Sequence, residues 1–95
     1  VDLIDTFNYL LGLYVDKIQK VKNDDKNYII ITGKAGDGKM VIVWRNIINL
    51  DYQQDKKFIK EYLKDSNYDT LYVNGTCLVE GYKSIEVELK KLICN

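Results

Sequence analysis

The chain contains no histidine, no proline, only two cysteines and no net charge. Without histidine there is no imidazole acid–base chemistry, no Ser-His or Cys-His nucleophile and no histidine metal ligand. Cys77 and Cys94 lie too far apart for a C-x-x-C pair, and with no second pair a zinc site is not expected. They read as free thiols of a cytosolic protein, with a disulfide to the chain end as the other reading. No apolar run approaches the roughly 18 residues of a membrane helix, and no signal peptide is visible. Lysine plus arginine number 14, as do aspartate plus glutamate. Dedicated nucleic-acid modules are usually basic, so DNA binding by this chain alone is expected to be weak or absent outside a local patch.

What is present is apolar and β-branched. Hydrophobic residues make up 46% of 95 positions and charged residues 29%, which fits one globular domain over residues 1–95. The chain opens on Val1 rather than Met, and its first residues already read as helix. A piece of a longer polypeptide is therefore expected.

Leu3, Phe7, Leu10, Leu11 and Tyr14 recur at helical spacing and predict a core-facing first helix. Gly12 weakens that helix and suggests close packing. "YVDKIQKVKN" at 14–23 is compatible with an exposed edge strand, and "NDDKN" at 23–27 with a turn. "NYIIITGK" and "KMVIVWR" are short β-branched runs, as expected of strands buried on both faces. Asp51, with Gln54 three residues on, predicts a helix start. Phe58, Ile59, Tyr62 and Leu63 form the apolar stripe of that helix. Asp55, Lys56, Lys57, Lys60, Glu61 and Lys64 are assigned to its solvated side. "DTLYVNG" reads as a strand ended by an Asn-Gly turn, and "TCLVEGY" as a short extended piece. Ser84 caps a last helix on which Ile85, Leu89 and Leu92 keep helical spacing while Val87 and Ile93 fall off the stripe.

The order predicts an α/β fold, with α+β as the alternative. It comprises a mixed sheet of three to four strands, a β-hairpin over 27–45 and a right-handed β-α-β crossover over 39–74, with helices packed on the sheet.

"GKAGDGKM" at 33–40 fits seven of the eight positions of the phosphate-loop pattern G-x-x-x-x-G-K-[ST]. Gly33, Gly38 and Lys39 are in place. Met40 replaces the hydroxyl that would hold Mg²⁺. Val41, Ile42 and Val43 then predict a strand where the motif needs a helix N-terminus. Asp37 would also repel a phosphate at close range. A hairpin turn is the expectation, and a degenerate nucleotide site the alternative.

No catalytic residue is identified. The acidic pairs Asp24/Asp25 and Glu86/Glu88 read as exposed charge. Trp44, Arg45 and Asn74 are the candidate binding residues. Trp and Arg are enriched at binding hot spots, and Arg pairs bidentately with phosphate or carboxylate. In the simpler reading Trp44 caps the core and Arg45 bonds nearby backbone.

Four stretches in order carry a resemblance: "DTFNYLLGLYV", "VIVWRNI", "DKKFIKEYL", and "YVNG" followed by "SIEVELKKL". Together they resemble the C-terminal region of bacterial adenine-specific DNA methyltransferases, namely the type III restriction–modification Mod subunit and related N4/N6 methylases. One departure stands at the last helix, where the family opens with Glu-Pro and this chain has Glu86-Val87. The resemblance implies a non-catalytic accessory domain contributing subunit or DNA contacts in the cytoplasm. Its partners would be DNA through the parent protein, and the restriction subunit or a second copy. S-adenosylmethionine would belong to the parent. The cofactor loop and the "DPPY"-type motif would lie upstream, the latter being excluded here by the lack of proline. Trp44, Arg45, Asn74 and Gly75 are carried over as family-marking positions only. The alternative is a free-standing interaction or dimerisation domain with no methylase attached.

Overall fold

The two β-branched runs pair with each other, and the remaining elements are laid around that pair. The computed structural model describes residues 2–36 and 38–94. In chain order the elements are α1 (Leu3–Leu11), β1 (Tyr14–Asn23), β2 (Lys26–Ala35), β3 (Gly38–Arg45), α2 (Tyr52–Leu63), β4 (Thr70–Val73), β5 (Lys83–Ser84) and α3 (Ile85–Ile93). The fold is α/β. One mixed sheet has the order β1-β2-β3-β4-β5, with β1, β2 and β3 antiparallel to their neighbours and β3, β4 and β5 parallel. The sheet has five strands rather than three to four. The extra one is the two-residue β5, too short to leave a period-2 pattern, which sits beside β4 and leads directly into α3.

Alternate residues of the central strands feed two cores, as the period of two requires. Tyr28, Ile30, Val41, Val43, Leu71 and Val73 face Ile59 and Leu63 of α2. Ile31, Ile42 and Tyr72 face Phe7 of α1 and Ile85 of α3. Helices thus cover both faces, which is why β2 and β3 read as continuous apolar runs. β1 lies at the sheet edge and most of its residues are exposed, as its mixed composition suggested.

Three local expectations are corrected. The buried face of α1 is built on Ile4, Phe7 and Leu11, while Leu3 is exposed and Tyr14 belongs to β1. The helix ends earlier than the apolar spacing implied because Gly12 caps it in a left-handed conformation (φ 71°, ψ 34°). A Cβ at Gly12 would meet nothing within 4 Å, so conformation and not close packing explains this glycine. Residues 76–82 form a loop and not an extended piece, held down by the buried Cys77 and Val79. Helix starts follow the sequence signals. The Asp51 carboxylate accepts from the amides of Gln53 and Gln54, and the Ser84 hydroxyl from that of Val87.

The phosphate-loop look-alike is a hairpin. Met40 through Arg45 run extended in β3, and Ala35 pairs with Gly38. Gly33 lies inside β2, where a Cβ would collide with the Tyr14 carbonyl oxygen and crowd Leu13. That close approach accompanies a register shift between Val15 and Lys17 on the neighbouring strand. The expectation for Asp37 lies outside the described residues. No helix among the described residues is long and apolar enough to cross a membrane.

Candidate functional site

The strands β3 and β4 are parallel and end side by side, so the residues that follow their apolar cores meet at one end of the sheet. Arg45 closes β3 and Asn74 follows β4. The Arg45 amide donates to Asn74 Oδ1 (2.9 Å), and Asn74 Nδ2 donates back to the Arg45 carbonyl (2.7 Å). The two motifs interlock although they stand 29 residues apart. Next to Asn74, the Gly75 amide donates to the Glu86 carboxylate (3.0 and 3.1 Å), tying this corner to the start of α3. Glu86, assigned to solvated charge from its position, therefore has a structural partner.

The Arg45 side chain turns inward. Its Nε and Nη2 donate to Asp55 Oδ1 (3.0 Å) and Oδ2 (2.9 Å), a bidentate fork whose two side chains are 0% exposed. Nη2 also donates to the Thr76 carbonyl (2.5 Å), and Nη1 to the Asn74 carbonyl and Oδ1. The guanidinium thus has an acceptor for each donor direction. The Tyr28 hydroxyl completes the network by donating to Asp55 Oδ1 (2.7 Å).

Asp55 corrects an assignment. Its charge placed it on the solvated side of α2, yet it is buried against Arg45. The signal was its spacing: Asp55 stands four residues before Ile59 and eight before Leu63, on the buried stripe itself. A carboxylate on such a stripe needs a buried cation, and Arg45 is the chain's single arginine.

Trp44 points to the other face of the sheet. It packs edge-on against Phe7 (ring centroids 6.2 Å apart, planes at 86°), and its indole Nε1 is buried without an acceptor among the described residues. The three candidate residues are therefore divided. Arg45 and Asn74 share one clasp, and Trp44 belongs to the core under α1.

The arrangement is poor chemistry and good structure. Arg45 and Asp55 saturate each other, leaving no free carboxylate or cation for a substrate. Burial pushes the nearby Cys77 thiol up, opposed in part by the hydrogen bond from the Val79 amide, so the thiolate needed for nucleophilic attack is disfavoured. Among the described residues no group of three or more Cys, Asp or Glu side chains is placed to hold a metal ion.

Burial, with the hydrogen bond to Asp55 adding to it, raises the Tyr28 phenol well above its ordinary value. The folded chain keeps that proton where the unfolded chain, with a phenol near the usual value of about 10, releases it. Stability from this group is complete below about pH 10 and falls as pH rises above it. Tyr28→Phe is expected to flatten that alkaline loss, measured as urea midpoints on either side of about pH 10. A smaller loss remains from Tyr72, which burial also raises, with Glu88 adding to the effect.

No family model, no curated protein and no solved structure matches this chain.

Proposed function

We propose that this chain is a non-catalytic C-terminal accessory domain of a site-specific adenine DNA methyltransferase, part of a cytoplasmic restriction–modification system. It contributes subunit or DNA contacts. Methyl transfer and S-adenosylmethionine belong to the rest of the parent protein.

The observation that supports this reading is that Arg45 of "WR" and Asn74 of "VNG" meet in one hydrogen-bonded clasp, joined through Gly75 to Glu86 at the start of α3. Arg45, Asn74 and Gly75, three of the family-marking positions, thus meet at one corner of the fold.

Titration calorimetry of the chain with S-adenosylmethionine is expected to give no binding heat, while the gene upstream of Val1 encodes a "DPPY"-type motif. A micromolar affinity for S-adenosylmethionine in this chain alone, or an upstream frame without such a motif, would overturn the proposal.

One feature favours the alternative of a free-standing dimerisation domain. β1 is an open edge strand with Tyr14, Val15 and Ile18 exposed. Lys17, Lys20 and Lys22 and the register shift near Asp16 guard that edge against pairing. Light scattering is expected to give the monomer mass of 11.1 kDa. Twice that mass at micromolar concentration would favour the alternative.

A further inference from the structure

Lys34 and Lys39 stand directly opposite each other on the β2–β3 hairpin, and Tyr14 of β1 stands directly opposite Lys34. Directly paired residues share a sheet face, so Tyr14, Lys34 and Lys39 form one row across three strands. Like charges in such a pair destabilise a hairpin. Nothing in the fold requires them, because both lysines are exposed and neither forms a salt bridge among the described residues.

This row is one wall of a groove of about 580 Å³. The opposite wall is the segment between α2 and β4, with Ser66, Asn67 and Tyr68. Tyr14 is 83% exposed, so its ring is open to solvent. Tyr68 is half-buried, packed against the α2 core. The Lys39 backbone is held rigidly. Its amide donates to Asp69 Oδ2 (2.8 Å), and its carbonyl accepts from the Asp69 amide (2.8 Å). Asp16 also lines the groove, as the one carboxylate among its lining residues.

We propose that this groove binds single-stranded nucleic acid, with backbone phosphate set between Lys34 and Lys39 and a base stacked on Tyr14. Two lysines held side by side suit a phosphate, whose charge relieves their mutual repulsion. Exposed aromatic rings beside a cationic track are the usual platform for unpaired bases. Duplex DNA hides the base faces that Tyr14 would need. Lys34 and Lys39 thus meet phosphate through side chains on a hairpin, and not through amides at a helix N-terminus. This inference does not rest on the methyltransferase reading: the chain can be an accessory domain whether or not the groove is occupied.

The test is fluorescence anisotropy of the chain with a labelled oligothymidylate at low salt. A dissociation constant of about 10⁻⁵ to 10⁻⁴ M is expected, in the range of weak non-specific sites. Neutralising one phosphate of a single strand gives a log–log salt slope of about −0.7, or roughly a 2.6-fold loss between 50 and 200 mM salt. Lys34→Glu and Tyr14→Ala are each expected to weaken binding about tenfold or more, while Lys57→Glu on the outer side of α2 changes it less than about twofold. Lys34→Glu also puts opposite charges across the hairpin, so its melting temperature is expected to rise by about 1–5 °C even as binding is lost. Equal affinity for duplex, or for free thymidine monophosphate, contradicts a strand site. So does equal weakening by Lys57→Glu, a Lys34→Glu variant that melts lower, or no binding at low salt.

Discussion

Replacing Asp55 with alanine is expected to cost about 3–5 kcal/mol, because it strands a buried guanidinium without its counter-ion. Arg45 keeps its bonds to the Asn74 and Thr76 carbonyls but loses the bidentate fork, and Tyr28 loses its acceptor. A domain of this size is stable by about 5–14 kcal/mol in all, so the loss takes a large share of what holds it together. Urea unfolding followed by far-UV circular dichroism reads this as a large fall in midpoint. Glu61→Ala provides the contrast. Its ion pair with Lys64 has a good distance, 2.7 Å, but both side chains are more than half exposed. Removing it is expected to change stability by about 0.5 kcal/mol or less. Equal effects of the two substitutions would contradict the burial argument.

Phe7→Ala is expected to cost about 3–5 kcal/mol. Phe7 is fully buried and makes edge-on contacts with Trp44 and with Tyr72 (centroids 5.4 Å apart, planes at 79°). The nine-residue helix that carries it is too short to be stable alone, so its hold on the sheet depends on this ring. Partial release of α1 is therefore expected before global unfolding. It would expose Trp44 and be seen as a red-shifted emission and easier iodide quenching. Leu3→Ala, at an exposed position on the same helix, should do neither.

The sheet was legible in the sequence because its signals are local. "YIII" and "VIVW" are β-branched runs that no other element accommodates well, and Met40 followed by Val41 already spoke against a phosphate loop. The cap residues Asp51 and Ser84 likewise act on amides two or three positions away. What escaped was non-local. Gly33 is explained only by the Tyr14 carbonyl of the neighbouring strand. Asp55 stands on the buried stripe by its spacing, but its charge argued for solvent, and the arginine that makes its burial tolerable lies on another element. The groove is formed from three strands and a loop, and only pairing reveals that Tyr14, Lys34 and Lys39 share a row. Among the candidate residues, sequence brought Arg45 and Asn74 to notice but gave no sign that they hold each other.

Arg45 serves the fold through its pairing with Asp55. A double-mutant cycle with Arg45→Met and Asp55→Leu measures it. Each single variant leaves a buried charge unpaired, whereas the double variant leaves none, so the double is expected to be less destabilised than the sum of the singles by about 1.5 kcal/mol or more. Additivity within about 0.5 kcal/mol would mean that the two groups act independently, and would contradict the account.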